Sequence, residues 1–535
     1  MNNNSLSQHG ANSNVSDTEK TKAFANRHIP RFLDLSVIST HSLQVVENGA
    51  TLSASALATG KYDPTIPILV TDTPQSIGMT VPPNLTIRDV AEMIGNSYPV
   101  SVIDVKHQEE LEGWTLGDLV EYFEDEERLV LVRQQQIGTT RSRRKRTQRS
   151  SVATPKVLNQ ISLEFRHTPL ATVVKSPQFV RSLDWIDAAW PEEIGKPQTQ
   201  YYCLTSTAGC YTDFHVDFGG TSVWYHVLTG EKHFVLISPT TENLKIYEDW
   251  LCRPDQSELF LPDLYPDLND IQKVVLQQSQ TLFIPSGWIH AVYTPQDSLV
   301  IGGNFLHGLD IGKQIDVNSL EVRTKVPQKF RFPKYLALLM YTGVWYLNKL
   351  RNGDVYKREC RELPYLLDAL VMWSRVASDP HMVKAMDDIK EANNVSSVEK
   401  VLQDIRKELD RIERDGIVPN STFNRPKLRL KVPSGKSSNS ASFRIKLSVS
   451  SKFSTLPPMV KKRRRSREDL DGMSTKDEAD DEWKPSGSHS VLSKSSTPFT
   501  STTKTRAPYT NTQGIARTGK KRNINSRQRL MKRLR

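Results

Sequence analysis

The chain has 535 residues, 37% of them hydrophobic, and a formal net charge of +11. This length allows two or three domains, and the four cysteines include no CxxC pair, which argues against zinc fingers, zinc ribbons and disulfide frameworks. This use of cysteine fits a reducing intracellular compartment best. Residues 1–22 lack the apolar core of a secretory signal, and the longest apolar run is too short to span a bilayer and is predicted to be a buried helix.

The positive charge is concentrated in the C-terminal part of the chain. Residues 421–535 hold 28 Lys and Arg against 8 Asp and Glu, a net charge of +20, which leaves −9 for residues 1–420. A basic segment of this kind suits a nucleic acid or an acidic protein surface, although a solvated disordered end has the same composition.

The N-terminal third is predicted to contain three kinds of segment. Residues 1–27 are rich in Asn and Ser and are predicted to be disordered. Residues 28–138 form a mixed region with two short helices, which Thr86 and Thr115 are placed to cap. Residues 139–155 form a basic loop that fits a solvated insertion, a nuclear import signal or a contact with DNA phosphates.

Residues 156–310 are predicted to form short β-strands. Aromatic and β-branched residues alternate there with polar ones, and Gly or Pro separates the runs. The runs "TSVWYHVLTG" and "EKHFVLISP" are predicted to be separate strands joined by a turn at "TGEK". Many short strands at this spacing indicate a closed or double-sheeted β architecture such as a jelly roll.

Residues 311–416 are predicted to be helical, and residues 417–535 to be a basic disordered tail. The run "SSVEKVLQDIRKELDRIERDG" places its apolar residues on one helix face, and Ser396 and Glu399 fit a capping box. In the tail, "KKRRRS" at 461–466 is a candidate nuclear localisation signal, and the basic cluster at 519–535 is suited to DNA phosphates.

Two histidines and an aspartate in the β region are candidate metal ligands. Side chains at i and i+2 of a strand face the same side, so His215 and Asp217 can aim at one point. His290 follows a Pro-Ser-Gly turn in an apolar strand and is the third candidate. Two histidines and one carboxylate describe the facial triad of non-heme Fe(II) oxygenases. An HxD motif also occurs by chance, and a histidine in an apolar strand is often a hydrogen-bonded core residue.

Three more residues in the same region fit a dicarboxylate co-substrate. A jelly-roll pocket that binds 2-oxoglutarate needs a cation for the far carboxylate, and a buried Lys232 without a partner would be costly. Thr212 and Tyr225 can donate hydroxyl hydrogen bonds to the same carboxylate.

Three segments of the chain closely resemble the JmjC-domain histone lysine demethylases, and among them the JmjC-domain histone demethylation protein 1 group. The likeness covers residues 65–350 and is densest over 201–310. The segments that carry it are "CYTDFHVDFGGTSVWYHVLTGEKHFVLISPT", "TLFIPSGWIHAVYTPQDSLVIGGNFLHGL" and "VPQKFRFPKY".

This resemblance implies a mainly β catalytic core, a double-stranded β-helix (a jelly roll, the cupin-like JmjC domain), with flanking helices and disordered termini. It implies that Fe(II) binds at His215, Asp217 and His290. It also implies a 2-oxoglutarate pocket formed by five residues: Thr212, Tyr225, Lys232, Asn159 and Asn304. The histidines at 226, 233 and 307 match no such role and are interpreted as structural.

The activity that the resemblance implies is demethylation of mono- or dimethylated lysine 36 of histone H3, with release of formaldehyde and succinate. The partners would be the methylated histone H3 tail and chromatin in the nucleus, with non-specific DNA contact through the basic loop and tail, and no membrane. Four scattered cysteines cannot build the zinc fingers of many relatives, so chromatin targeting would use the basic segments or a partner protein. Two alternatives are a catalytically inactive chromatin scaffold and a protein hydroxylase acting on a non-histone target.

Overall fold

The computed structural model describes residues 24–36, 43–107, 109–138, 155–376 and 378–415. The basic loop, the localisation signal at 461–466, the C-terminal basic cluster and the terminal segments predicted to be disordered lie outside these ranges, apart from Phe24–Arg27 and Pro155 at their edges. Among the described helices, none is both long enough and apolar enough to cross a membrane.

The strands within the described ranges are β1 (Gln44–Val46), β2 (Ile68–Val70), β3 (Val102–Asp104), β4 (Glu109–Leu111), β5 (Leu158–Glu164), β6 (Tyr202–Ser206), β7 (Cys210–His215), β8 (Ser222–Ile237), β9 (Ile271–Leu276), β10 (Thr281–Ile284) and β11 (Ile289–Phe305). The helices before β11 are α1 (Phe24–Asp34), α2 (Ala54–Thr59), α3 (Ile87–Ile94), α4 (Leu116–Glu124), α5 (Glu126–Gly138), α6 (Leu170–Val173), α7 (Gln178–Leu183), α8 (Trp185–Ala189), α9 (Thr241–Leu251) and α10 (Leu261–Leu264). The helices after β11 are α11 (Ile311–Arg323), α12 (Tyr335–Asn352), α13 (Lys357–Val376), α14 (Pro380–Ala392) and α15 (Val398–Arg414).

Two long antiparallel strands, β8 and β11, organise the β region. They pair along their length, and register shifts in β11 between Tyr293 and Val300 interrupt the ladder midway. On one side of this interruption the pair is flanked by β10 and β6, and on the other side by β9 and β7. Each long strand therefore contributes to two layers of sheet. This arrangement confirms the predicted mainly β jelly roll with flanking helices.

The prediction of a turn at "TGEK" was wrong, because the chain continues through it as one strand, β8. Gly230 absorbs the bend with a φ of +84°, a conformation that suits glycine. A side chain there would also lie 2.2 Å from the Asp297 carbonyl oxygen of β11. A bulge of this kind bends a strand without ending its pairing. The sequence did not distinguish the two cases, because glycine is typical of both turns and bulges.

Predicted capping residues begin two helices of the N-terminal region. The Thr86 hydroxyl accepts from the Asp89 N–H at the start of α3, and the Asp89 carboxylate accepts from the Thr86 N–H at 2.8 Å. Thr115 and Asp118 repeat this capping box at α4. These reciprocal bonds satisfy backbone donors that a helix start otherwise leaves free, and both predictions are confirmed.

The five helices after β11 form a second apolar core, to which α12 contributes most of its length. The predicted apolar face of α15 is confirmed, since Val398, Val401, Leu402, Ile405 and Ile412 are buried and Leu409 packs against them. The capping box predicted at Ser396 was wrong. The helix begins one residue later, with Ser397 at the N-cap, so Glu399 does not occupy the third helical position that a capping box needs.

Candidate metal centre

The three predicted metal ligands lie together at the ends of two paired strands. His215 is the last residue of β7 and pairs with His290, near the start of β11. The chain remains extended through Asp217, which precedes a tight turn at Phe218–Gly220. Each of the three residues offers one ligand atom, and these atoms all lie within 4.8 Å of one another. The strand pairing therefore brings together ligands that are 73 residues or more apart in the chain.

Backbone carbonyl groups orient both imidazoles. His215 Nδ1 lies 2.9 Å from the Asp213 carbonyl oxygen, and His290 Nδ1 lies 3.0 Å from the Trp288 carbonyl oxygen. A carbonyl oxygen can only accept, so Nδ1 of each ring carries the proton. The lone pair is then on Nε2, and in His290 this atom lies 3.7 Å from Asp217 Oδ2. This is the outer support that metal-binding histidines need.

Asn304 orients the third candidate ligand. Its Nδ2 donates to Asp217 Oδ1 at 3.3 Å and to Thr221 Oγ1 at 2.9 Å. Because Oδ1 is engaged in this way, Oδ2 is the oxygen that faces His290. The resemblance associated Asn304 with the co-substrate pocket, whereas its amide contacts the carboxylate of Asp217, a candidate metal ligand, and the Thr221 hydroxyl.

Burial keeps the two imidazoles neutral. It lowers the pKa of His215 to about 4, with a further contribution from the neighbouring His290, and it also lowers the pKa of His290 to about 4. Burial raises the pKa of the Asp217 carboxyl, and this is opposed by His215 and by the Asn304 amide. Neutral imidazoles are the form that binds a metal, and a bound cation favours the ionised carboxylate.

Lys232 is a buried cation on the same face of the sheet as His290. The residues Lys232, Phe234 and Leu236 alternate along β8, and His290, Val292 and Thr294 alternate along β11, with Leu236 opposite His290 and Phe234 opposite Val292. Lys232 is 3% exposed, and Nζ donates to Ser206 Oγ at 2.9 Å and to Thr294 Oγ1 at 2.8 Å. Within the described part of the chain, no carboxylate lies within ion-pair distance of it.

This cation fits a carboxylate ligand. Burial lowers the pKa of Lys232 to about 8, which is the cost of holding the ammonium group away from water without an anion. An incoming carboxylate would remove that cost and complete the hydrogen bonding of Nζ.

Two of the remaining predicted pocket residues are connected to this site through one intermediate residue each: Asn159 to Lys232 through Ser206, and Tyr225 to His290 through Phe234. Asn159 Oδ1 accepts from Ser206 Oγ at 2.7 Å, so it supports Lys232 through that hydroxyl. The Tyr225 ring packs edge-on against Phe234 at 5.4 Å, and Phe234 in turn lies 6.3 Å from His290. Thr212 is half-buried on β7, opposite Val292.

Sequence reasoning missed Ser206 and Thr294, the two hydroxyl groups that hold Lys232. The one available signal for Thr294 was its spacing of four from His290, which places both on one face of a strand. Ser206 carries no such signal, because it reaches Lys232 only through the pairing of β6 with β11.

The histidines at 226, 233 and 307 have hydrogen-bond partners outside the candidate metal centre. His226 Nδ1 lies 2.9 Å from Thr281 Oγ1, and His307 Nε2 lies 3.0 Å from Ser222 Oγ. His233 Nε2 contacts the Glu231 carboxylate. These hydrogen bonds agree with their interpretation as structural residues.

Comparison with known proteins identifies two domains in the chain. A cupin-like domain matches residues 88–308, and the Jumonji helical domain matches residues 309–413. The first contains the three candidate ligands and Lys232, and the second contains α11 to α15 almost completely.

Among curated proteins, the chain is similar to several demethylases. It is 42% identical over 314 residues to lysine-specific demethylase 2A of Xenopus tropicalis, a match that covers 55% of this chain and 25% of that protein. It is 42% identical over 271 residues to JmjC domain-containing histone demethylation protein 1 of Yarrowia lipolytica, covering 50% and 48%. It is 34% identical over 398 residues to lysine-specific demethylase 7A of Mus musculus, covering 72% and 39%.

These matches cover only about a quarter to a half of the length of the relatives. The chain thus contains a cupin-like domain followed directly by a Jumonji helical domain. Over half or more of its length it is similar to proteins named as a lysine-specific demethylase and as a JmjC domain-containing histone demethylation protein.

Proposed function

We propose that this protein is an Fe(II)- and 2-oxoglutarate-dependent histone lysine demethylase that acts on mono- or dimethylated lysine 36 of histone H3. The observation that supports it best is the convergence of His215, Asp217 and His290, whose ligand atoms lie within 4.8 Å of one another, on a sheet that also buries Lys232. A catalytically inactive scaffold would have no need to retain both groups.

In this proposal Nε2 of His215, Nε2 of His290 and Oδ2 of Asp217 would hold Fe(II). When bound, the iron supplies the oxidising power that uses O2 and 2-oxoglutarate to hydroxylate an N-methyl group, with succinate and CO2 as co-products; the hydroxymethyl amine then releases formaldehyde. The protein contributes ligand orientation and an apolar surrounding that excludes water.

Lys232 binds the far carboxylate of 2-oxoglutarate in this scheme. Ser206 and Thr294 fix the position of its ammonium group, and Asn159 fixes Ser206. Thr212 and Tyr225 are assigned to the same carboxylate as hydroxyl donors. Asn304 is assigned to Asp217, and only indirectly to the co-substrate.

The substrate assignment rests on family likeness. The relatives are named as lysine demethylases or as a histone demethylation protein, and the resemblance to the histone demethylation protein 1 group favours lysine 36 of histone H3. A protein with this substrate acts on chromatin in the nucleus. The proposed import signals and DNA contacts belong to the basic loop and the tail.

A panel of histone H3 peptides tests the proposal. Peptides carrying one, two or three methyl groups at lysine 36 or at other lysines are incubated with the protein, Fe(II), ascorbate and 2-oxoglutarate, and their masses are measured. We expect losses of one methylene at a time from the mono- and dimethylated lysine 36 peptides, with formation of succinate, and no loss with the His215→Ala variant.

Three outcomes would contradict the proposal. A gain of one oxygen without loss of methylene would indicate a protein hydroxylase, and metal binding without succinate formation on any peptide would indicate an inactive scaffold. Methylene loss that persists in His215→Ala would remove the assignment of the active site.

A further inference from the structure

The turn that carries Asp217 is pressed against the helical domain. Gly219 and Gly220 adopt φ values of +62° and +66°, which favour glycine. A side chain on Gly219 would lie 2.9 Å from Phe332 Cβ, and one on Gly220 would lie 2.7 Å from Gln314 Cα in α11. The turn therefore needs glycine both for its backbone conformation and for its close approach to α11 and the start of α12.

One buried side chain of α11 binds this turn directly. The Gly219 N–H donates to Glu321 Oε1 at 2.9 Å, and Glu321 is 6% exposed. The other carboxylate oxygen, Oε2, is buried without a hydrogen-bond partner in the described part of the chain. A buried carboxylate with so few partners is costly, so stability alone does not favour Glu at this position.

The hydrogen bond between Gly219 and Glu321 lies close to Asp217 in the chain, and the backbone on both sides of Asp217 is held in place. Gly219 lies two residues after Asp217, and the intervening Phe218 carbonyl oxygen accepts from Thr221 Oγ1 at 3.0 Å. On the other side of Asp217, His215 ends β7 and is held by its pairing with His290 of β11. Glu321 thus fixes the C-terminal end of the short segment 215–219, whose N-terminal end is held by other contacts. Asp217 lies in the middle of this segment.

We propose that Glu321 is a positioning residue of the metal centre, which holds the Gly219 N–H and thereby sets the direction in which Asp217 Oδ2 faces the two histidines. This inference rests on the proposed function, since it assumes that Asp217 is a metal ligand. It makes the Jumonji helical domain part of the support of the metal centre. Outer partners that orient ligands typically change metal affinity by about 10- to 100-fold when they are removed.

The test compares Glu321→Met with Glu321→Gln. Methionine is similar in length but cannot accept from the Gly219 N–H, whereas the glutamine amide oxygen can. Affinities for Fe(II) under anaerobic conditions and for Co(II) are measured by calorimetry and by the Co(II) absorption spectrum, on the full chain. We expect about a 10-fold or greater loss of affinity and a changed spectrum in Glu321→Met, and values close to the unaltered protein in Glu321→Gln.

Leu320→Ala is the matched control for a purely structural effect. Leu320 is its neighbour on α11, is 4% exposed and packs in the apolar cluster that also contains Phe214 and Ile289. Leu320→Ala therefore loosens the packing around the site without changing the hydrogen bond to the Gly219 N–H. We expect this variant to unfold at a lower denaturant concentration while its metal affinity stays unchanged. Equal metal affinity in Glu321→Met and the unaltered protein would overturn the inference, as would an equal loss in Leu320→Ala.

Failure of this inference is distinguishable from failure of the proposed function. If the unaltered protein binds neither metal, or if His215→Ala binds as well as the unaltered protein, the metal centre itself is refuted and Glu321 with it. If the unaltered protein binds and His215→Ala does not, while Glu321→Met binds normally, only the role of Glu321 is refuted.

Discussion

Replacing Lys232 with methionine should yield a protein that is more stable than the unaltered one and unable to bind 2-oxoglutarate tightly. The ammonium group is buried at 3% exposure, and its partners are the Ser206 and Thr294 hydroxyls. Burial lowers its pKa from 10.5 to about 8. The folded protein without co-substrate therefore holds a charge that the unfolded chain would keep in water.

The size of the effect follows from that pKa. At about 1.4 kcal/mol per pKa unit, the buried charge costs about 3 kcal/mol. Methionine removes this cost but also removes two hydrogen bonds, each contributing about 1 kcal/mol. The free energy of unfolding should therefore rise by about 1 kcal/mol in Lys232→Met, in keeping with the gains seen when apolar residues replace buried charges.

The pH dependence has a defined sign. The folded pKa of about 8 lies below the ordinary value of 10.5, so between these two pH values the unfolded chain binds more protons than the folded one. The free energy of unfolding of the unaltered protein should therefore rise as the pH increases through that window, because Lys232 loses its buried charge. Below about pH 8 the full free-energy cost of burying the charged ammonium group should apply. Lys232→Met should lack this rise.

The assay is denaturant unfolding near neutral pH, with and without 2-oxoglutarate, together with calorimetric titration of the co-substrate. Loss of a charge-assisted hydrogen bond of about 1.5–3 kcal/mol should weaken 2-oxoglutarate binding by about 10- to 150-fold. Ser206→Ala, which keeps the charge, should retain most of the affinity. A Lys232→Met protein that is several kcal/mol less stable, or that binds 2-oxoglutarate normally, would refute this reasoning.

Three further results are expected. Asn304→Ala frees Asp217 Oδ1 and should weaken Co(II) binding by about 10-fold; a loss confined to 2-oxoglutarate affinity would instead return Asn304 to the co-substrate pocket. Because burial lowers the pKa of His215 and His290 to about 4, Co(II) affinity should not begin to fall as the pH is lowered through 6.5, the ordinary value for histidine, and a decline centred there would contradict the buried geometry. Gly230→Ala should lower the denaturant midpoint of unfolding strongly, because the added Cβ would lie 2.2 Å from the Asp297 carbonyl oxygen. Gly195→Ala, which has open space around it, should leave the midpoint nearly unchanged, and similar midpoints for the two variants would argue against the bend in β8.

Local features of the chain were predictable from its sequence. Thr86 and Thr115 begin helices because a hydroxyl followed three residues later by a carboxylate satisfies the free N–H groups of a helix start. The buried face of α15 follows from apolar spacing along a helix. These features depend on residues within one or two turns of each other, so no distant partner has to be known.

The prediction that His215 and Asp217 point to the same place was also local, since residues two apart in an extended chain face the same side. His290 was the third candidate because of its position in an apolar strand, although spacing alone left core histidines as an alternative. His215 and His290 lie opposite each other because β7 pairs with β11. Periodicity predicts that strands exist but does not specify which strands pair or in which register.

Only the tertiary structure identified the residues that support the site. Ser206 and Thr294 come to Lys232 from two other strands, Asn304 comes to Asp217 from the end of β11, and Glu321 comes to Gly219 from a helix of the following domain. Each of these contacts joins residues that are at least 26 positions apart. The chain by itself determined which side chains were available for metal and co-substrate chemistry. Strand register and domain packing decided which other residues hold those side chains in place, because hydrogen bonds depend on positions in space to within a few tenths of an ångström.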